Sequence, residues 1–248
     1  MKRFSNVEKR LIVKLLKKGK SLSFIAKRFN VGKNTIFYYR KKFLGLKIKK
    51  INIDISNERL VGEFIGIFAG DGYFQKDVRS YSYKIRIFFN KNEENLVDYY
   101  CDVINSIFGK FPRKYFNNSM ITLELSSKQA IGFIKDYLRW DGKKSKTVFL
   151  VNSPESYSKN FIIGFIKGLI DSDGYVRKNR PEIYFGTVSQ KLFQNFIQSL
   201  GILNIAYKTY FQITSSKSKF SKVRVSGDEF YNFIHIISPE KAHGLTGI

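Results

Sequence analysis

Two glycine-rich segments of this chain read as copies of one another. The first, "VGEFIGIFAGDGYF", covers residues 61–74, and the second, "IGFIKGLIDSDGYV", covers residues 163–176. The offset of 102 places Asp71 and Asp173 at equivalent positions. A further match joins "LELSSKQAIGFI" (residues 123–134) to "VRVSGDEFYNFI" (residues 223–234) at an offset of 100. A repeat of this length predicts a molecule built from two similar halves.

The hydrophobic periodicity predicts the same order of elements in each half: helix, two strands, helix, two strands, helix. The predicted fold class is therefore α+β, with pseudo-symmetric halves at residues 58–157 and 158–248. The predicted strands and helices after each glycine-rich helix are strands 83–89, 110–116 and 120–125 with helices 93–108 and 128–138, then strands 182–185, 205–213 and 219–225 with helices 190–200 and 228–236.

Glycines follow one face of each glycine-rich helix. A glycine inside a helix costs roughly 0.5–1 kcal/mol relative to alanine, so a second helix pressed against the stripe is the natural compensation. We expect the two stripes to pack backbone to backbone. A membrane dimer motif has the same spacing, but the apolar runs are too short to cross a bilayer. The stripes are Gly62, Gly66 and Gly70 in the first copy, and Gly164, Gly168 and Ser172 in the second.

This packing would bring Asp71 and Asp173 together at two helix C-termini. Each carboxylate then raises the pKa of the other, and the helix dipoles disfavour both negative charges. Divalent cations resolve the conflict, and hard oxygen ligands suit Mg²⁺. The alternative is that each Asp-Gly only ends a helix and begins a turn. Two such motifs in register favour the metal site.

The charge of the chain is strongly positive and unevenly distributed. Its 44 Lys and Arg against 20 Asp and Glu give a net charge of +24. Residues 1–50 contain 17 of those cations and one acid, Glu8. Such a balance predicts a nucleic-acid partner, because Lys and Arg release counterions from phosphates. The single cysteine, Cys101, excludes an intrachain disulfide framework. Without a signal or membrane segment, we expect a cytoplasmic protein.

The basic N-terminal region has the spacing of three short helices, over residues 7–16, 22–29 and 34–43, with a tight turn at residues 30–32. The segment "SLSFIAKRFNVGKNTIFYYRKK" resembles the helix-turn-helix family. That resemblance implies a DNA-binding domain at residues 1–45, followed by a linker at 46–57. A three-helix bundle with a solvated basic face is the alternative. The implied DNA contacts are Lys33, Asn34, Thr35, Tyr38 and Arg40.

The segment "IKGLIDSDGYV" (residues 166–176) resembles the LAGLIDADG motif of homing endonucleases, and "FIGIFAGDGYF" (residues 64–74) resembles a looser copy. The resemblance implies a single-chain pseudo-dimer, monomeric in solution, that cuts a long asymmetric site in double-stranded DNA. It implies Mg²⁺, replaceable by Mn²⁺, at Asp71 and Asp173, with Gly70 and Ser172 as further candidate ligands. Ala69 departs from the motif, since the second copy has Asp171 there. We interpret Asp171 as a capping residue or as a residue that supports the metal ligands without binding the metal.

The same resemblance implies further site residues in each half. A lysine after each last helix, Lys146 and Lys241, is a candidate catalytic residue, and Lys143 and Lys144 are close enough to Lys146 to be alternatives to it. Candidate water-positioning residues are Asn90, Lys91, Thr187 and Ser189. Strand alternation turns Ile85, Ile87 and Val223 towards the helices. The cations expected to face DNA are Lys84, Arg86, Lys114, Arg177, Lys208, Lys222 and Arg224.

Three other functions remain compatible with these patterns. Bacterial sporulation regulators combine a helix-turn-helix with a degenerate LAGLIDADG domain and bind DNA without cutting it, although two retained aspartates argue against that function here. An intein-resident form is disfavoured, because the chain begins with the basic region and ends in "GLTGI" without the expected nucleophile chemistry. An RNA-folding maturase role stays open, so RNA is not excluded as a partner.

Overall fold

The structure, a computed structural model, describes residues 4–45, 51–77, 82–177, 179–213, 215 and 218–242. The chain divides into two compact units, residues 1–50 and residues 51–248, which we describe separately. Residues 46–50 of the predicted linker lie outside the described residues. Within the described ranges, no helix has the length and apolar content needed to span a bilayer.

The first unit contains three helices, α1 (Asn6–Lys17), α2 (Leu22–Arg28) and α3 (Lys33–Leu44). Ser5 and Glu8 form a reciprocal capping box at the start of α1. Asn30 has a φ of 49°, which makes the tight turn between α2 and α3. Ile12, Ile25 and Ile36 are fully buried between the helices. The predicted three-helix organisation is therefore present.

The second unit contains the remaining helices and strands. Its elements are α4 (Glu58–Asp71), β1 (Gly72–Asp77), β2 (Ser82–Asn90), α5 (Glu94–Phe108), β3 (Arg113–Asn117), β4 (Met120–Ser126), α6 (Lys128–Tyr137), β5 (Leu138–Arg139), α7 (Lys144–Thr147), β6 (Phe149–Leu150), α8 (Lys159–Asp173), β7 (Gly174–Val176), β8 (Glu182–Thr187), α9 (Gln190–Ile202), β9 (Lys208–Ile213), β10 (Lys219–Ser226) and α10 (Asp228–Ile237), with short 3₁₀ turns at Pro154–Ser156 and Glu240–Ala242.

Two four-stranded antiparallel sheets have the same topology. Their strand orders are β1-β2-β4-β3 and β7-β8-β10-β9. Each follows a glycine-rich helix, so the predicted α+β class with two similar halves is confirmed. The short pair β5–β6 and helix α7 were not predicted, because segments of two to four residues carry no readable periodicity.

Alternate residues of the sheets pack against the helices. Ile85, Ile87 and Val223 are each 1% exposed, as the strand alternation predicts. We call the opposite face of each sheet its open face. The register places Lys84 and Arg86 there in the first sheet, and Lys208, Lys222 and Arg224 in the second.

Lys114 was wrongly assigned to the open face. It pairs with Leu123, a buried residue of the helix-facing side, and its Nζ contacts the Asp98 carboxylate on α5. Every residue of β3 is exposed, so the strand has no alternation of buried and exposed residues that would mark the face of Lys114 in the sequence. Arg113, opposite Glu124, is the cation of β3 on the open face.

The segment before α4 is attached to the second unit rather than free. The backbone N–H of Ile51 donates to Oε1 of Gln129 at 2.7 Å, and that of Asp54 donates to the carbonyl of Ile107 at 2.8 Å. Ile53 packs against the main core. The described part of the predicted linker, residues 51–57, therefore forms an edge of the folded body.

Candidate functional site

The paired helices α4 and α8 touch through their backbones. A Cβ placed on Gly62 would lie 2.1 Å from the carbonyl oxygen of Phe161, and one on Gly164 would lie 2.0 Å from that of Arg59. A Cβ on Gly66 would lie 3.0 Å from the Cα of Gly168. No side chain fits in these positions, so the predicted packing of the two glycine stripes is confirmed.

The stripes end where the two aspartates lie. A Cβ on Gly70 would be 2.1 Å from Oγ of Ser172 and 2.9 Å from Oδ2 of Asp173. Burial, followed by the negative charge of Asp173, raises the pKa of Asp71 to about 6. Burial also raises the pKa of Asp173. Asp71 is partly exposed and Asp173 is exposed, so both carboxylates remain accessible from solvent.

Lys144 closes the end of α4. Its Nζ donates hydrogen bonds to the carbonyl oxygens of Phe68 at 2.8 Å, Ala69 at 2.7 Å and Gly70 at 2.7 Å. A cation at a helix C-terminus satisfies carbonyls that lack a partner in the helix. Burial lowers the pKa of Lys144 to about 8, against the opposing effect of the two aspartates.

Lys241 occupies the corresponding place at the end of α8. Its Nζ donates to the carbonyl oxygen of Ser172 at 2.7 Å and to that of Gly174 at 3.4 Å. Oε1 of Glu93 is 3.7 Å from the same nitrogen. Glu93 and Lys241 also line a cavity of about 770 Å³ together with Lys91. Each half thus contributes one lysine to the end of its own glycine-rich helix.

Asp171 is buried beside this site rather than presented to it. It is 1% exposed, and it accepts hydrogen bonds from the Tyr100 hydroxyl at 3.0 Å and the backbone N–H of Lys241 at 3.2 Å. Burial raises the pKa of Asp171 to about 7. These bonds hold the segment that carries Lys241, which agrees with interpreting Asp171 as a capping residue.

The lysine that contacts the end of α4 is not the one that the sequence favoured. Lys146 is exposed on α7, and the carbonyls of α4 are contacted by Lys144 instead, two residues earlier. Lys144 begins the single turn of α7, and the sequence left it only as an alternative to Lys146, because a helix of four residues has no readable periodicity. Glu93 was also missed, although its Oε2 accepts from the backbone N–H of Asn90 at 2.9 Å, a capping arrangement readable from Asn-x-x-Glu.

The water-positioning assignment of Ser189 is wrong. Its side chain is fully buried, donates to the carbonyl of Val148 at 2.7 Å and caps α9. Thr187 is 7% exposed and its Oγ1 accepts from the N–H of Ser189 at 3.1 Å, so both hydroxyls serve the chain itself. Asn90 and Lys91 are exposed, and Lys91 shares the cavity of Lys241.

The oxygen atoms at the helix ends suit a hard divalent cation. Two carboxylates and the carbonyls of Gly70 and Ser172 converge there, and Mg²⁺ accepts such ligands together with water. Each of those carbonyls accepts one lysine hydrogen bond and keeps a second lone pair. Among the described residues, no group of three or more His, Cys, Asp or Glu side chains forms a metal site.

Residues 160–238 match the family described as the LAGLIDADG-like domain. This segment contains most of α8 and the sheet and helices that follow it. The matched range includes Asp171, Ser172 and Asp173, and the first half of the unit lies outside it.

Solved structures share the fold of the second unit. Variants of the homing endonuclease I-DmoI match with a TM-score of 0.57 at 15% identity, over 74% of this chain and 98% of theirs. I-DmoI in complex with DNA and Mn matches at 0.55 and 16% identity, over 75% and 99%. The N-terminal LAGLIDADG domain of DUF199/WhiA matches at 0.51 and 12% identity, over 75% and 86%. These likenesses show the LAGLIDADG fold.

A sequence relative is the ATP-dependent DNA helicase Hel308 of Thermococcus kodakarensis. It is 24% identical over 197 residues, which cover 73% of this chain. The match spans only 16% of the helicase. The likeness therefore concerns a small part of that protein.

Proposed function

We propose that this protein is a site-specific endonuclease of double-stranded DNA that uses Mg²⁺ at Asp71 and Asp173. The observation that carries the proposal is the meeting of both aspartates at the ends of two helices whose backbones touch. Similarity to the fold of I-DmoI, a homing endonuclease whose structures include complexes with DNA and Mn, supports the same conclusion.

The residues at the helix ends have different proposed roles. Asp71 and Asp173 would hold the metal ions, with Gly70 and Ser172 contributing carbonyl oxygens. Mg²⁺ bound there supplies an activated water and stabilises the departing oxygen of a phosphodiester. Lys144 and Lys241 place two positive charges beside the carboxylates, where they attract the scissile phosphate and stabilise charge that develops on it.

DNA binding would extend over the open faces of both sheets. These faces carry Lys84, Arg86 and Arg113 in one sheet and Lys208, Lys222 and Arg224 in the other. The first unit would add a separate contact, because Lys33, Asn34 and Tyr38 are exposed on α3, with Thr35 and Arg40 partly exposed. Since both halves come from one chain, we propose a monomeric enzyme with an asymmetric target.

A selection experiment tests the proposal and identifies the target sequence at the same time. The full chain is incubated with a randomised duplex library and Mg²⁺, and the ends of cleaved molecules are sequenced. We expect a defined site cut on both strands. Asp71→Asn and Asp173→Asn should each reduce cutting of that site on the order of 100-fold or more, while binding persists.

Asp136→Asn is the matched control, because Asp136 is an exposed aspartate on α6. It should cut like the wild type. Cutting that needs no metal, or that is indifferent to both substitutions in the site, would overturn the proposed chemistry.

A DNA-binding regulator without nuclease activity is the second candidate. The observation that favours it is the set of lysine contacts: Lys144 and Lys241 already place ammonium groups at both helix ends, so the site is partly neutralised without metal. The same library separates the candidates. Selected duplexes that are bound and never cut with Mg²⁺ or Mn²⁺ would establish the regulator.

A further inference from the structure

The open face of the first sheet contains a shallow pocket of about 290 Å³. The pocket lies on strands β2, β3 and β4. Its lining combines two cations, one acid, two aromatic rings and a hydroxyl. The residues are Lys84, Arg86, Phe88, Tyr115, Thr122 and Glu124.

Glu124 organises the charged side of this pocket. It is 4% exposed, and each of its oxygens has a separate cation. Oε1 is 2.9 Å from Nζ of Lys84, and Oε2 is 2.8 Å from Nε of Arg86. Burial opposes ionisation, but the hydrogen bonds from Lys84 and Arg86 outweigh it and lower the pKa of Glu124. A fixed carboxylate therefore anchors Arg86 through one nitrogen.

The contact between Nε of Arg86 and Glu124 leaves the guanidinium fork of Arg86, its two terminal nitrogens Nη1 and Nη2, available to another partner. Within the described ranges, no hydrogen bond joins either Nη group of Arg86 to the protein, and its side chain is 31% exposed. Arg86 lies on β2, the second strand of the sheet, opposite Tyr73 on one side and Glu124 on the other. A fork held at Nε has lost part of its rotational freedom before any partner arrives.

Guanine presents two acceptors, O6 and N7, to the major groove, and a guanidinium fork binds both at once. We propose that Arg86 reads a guanine in the first half of the DNA site, with Glu124 as the residue that positions it. This inference rests on the proposed binding of double-stranded DNA. It assigns one base preference to one side chain, which the endonuclease proposal alone does not.

In the second sheet, the carboxylate of Glu182 also faces two cations, Arg177 and Arg224, but both approach it through Nη1 rather than Nε. Arg224 stands at the repeat position of Glu124, and its Nη1 is 3.6 Å from Oε1 of Glu182. Its guanidinium lies 5.5 Å from the ring centre of Tyr210, and its buried Nε has no hydrogen-bond partner among the described residues. Arg224 is thus not anchored through Nε, so we assign the guanine contact to Arg86.

The test uses the full chain and a randomised duplex library, with binding rather than cutting as the readout. We expect an invariant guanine at one position of the selected site. Arg86→Lys keeps the charge and removes the fork, so the preference for guanine over the other bases should fall on the order of 10- to 100-fold. Overall affinity should fall much less, because the phosphate attraction remains.

Glu124→Gln separates positioning from simple folding. It removes one negative charge from the open face, so non-specific affinity should stay level or rise, while the guanine preference falls several-fold. A purely structural defect would lower both. Lys114→Gln is the matched control, since Lys114 is on the same sheet but faces α5. It should retain the wild-type preference.

The outcomes distinguish this inference from the proposed function. Failure to select any duplex would overturn the proposed DNA binding itself. Selection of a site whose bases are unchanged by Arg86→Lys and Glu124→Gln would overturn the guanine assignment and leave the endonuclease proposal intact. A preference that moves with Arg224→Lys instead would place base reading in the other sheet.

Discussion

The two halves of the second unit have the same backbone plan and different polar interiors. Both place glycines where α4 meets α8, and both end these helices at an aspartate. Their buried charges differ: Glu63 of α4 corresponds to Phe165 of α8, and Lys167 of α8 corresponds to Ile65 of α4. Contact between the two backbones requires small residues in both copies. A buried ion pair instead requires an acid in one copy and a cation in the other.

The difference favours pairing between unlike halves. Nζ of Lys167 is 3.1 Å from Oε2 of Glu63 and 2.9 Å from Oε1 of Glu240, and its side chain is 3% exposed. Two copies of α4 placed together would bury Glu63 opposite Ile65, and its cation would then be only the partly exposed Arg59 of its own helix. Burying a poorly compensated charge is costly, so this network favours the pairing of α4 with α8 over the pairing of two like helices.

Lys167→Met breaks the asymmetric network and should have the largest effect on stability. It leaves Glu63, which is 1% exposed, with only the partly exposed Arg59 as an ion-pair partner, 3.4 Å away. We expect the free energy of unfolding to fall by about 3 kcal/mol, measured by chemical denaturation.

The double variant Glu63→Gln/Lys167→Met tests the cause of that loss. Removing both charges should recover much of the stability, because no unpaired charge remains buried. Lys159→Met, at an exposed lysine of the same helix, should change stability by less than about 0.5 kcal/mol. Additive losses in the double variant would refute the proposed coupling.

Gly66→Ala tests the backbone contact between α4 and α8, to which both halves contribute glycines. The added Cβ would lie 2.3 Å from the carbonyl oxygen of Phe165, and backbone on both sides must move. We expect a loss of about 2 kcal/mol in unfolding free energy. Gly132→Ala is the control, since no atom lies within 4 Å of a Cβ there. It should stabilise the protein by roughly 0.5–1 kcal/mol, because alanine is the better helix former.

The sequence predicted the features that occur in both halves and missed those that occur in only one half. The glycine stripes and paired aspartates recur at one offset, so the helix pairing followed from spacing alone. Lys144 lies on a four-residue helix, and Glu63 and Lys167 have no counterparts in the other copy, so no repeated pattern marked them. Lys114 was misplaced because β3 is exposed along its whole length, so no buried residue of that strand marked its helix-facing side.

Lys144→Gln tests the role of the lysine at the C-terminal end of α4. It removes the charge that contacts three carbonyls of α4, so cleavage should fall roughly 10- to 100-fold, measured as single-turnover rate on the selected duplex. Lys146→Gln should have a much smaller effect, because Lys146 is exposed. A greater loss in Lys146→Gln would restore the assignment made from the sequence.

Asp71→Asn should produce the smallest effect, a pH-dependent gain in stability without metal. Because the folded pKa of Asp71 is about 6, above its ordinary value, the folded state binds more protons than the unfolded state between about pH 4 and 6. Stability therefore falls as pH rises through that window, and the cost of the carboxylate is fully present above it. The neutral amide of the Asp71→Asn variant would not carry that cost.

With a chelator present, we expect the Tm of the Asp71→Asn variant to rise by about 2 °C at pH 7.5, a gain limited by solvent screening. The difference from the wild type should vanish near pH 4. Asp136→Asn should show no such trend, and a Tm for Asp71→Asn at or below the wild type at pH 7.5 would mean that Lys144 and Lys241 already offset the repulsion between the two aspartates.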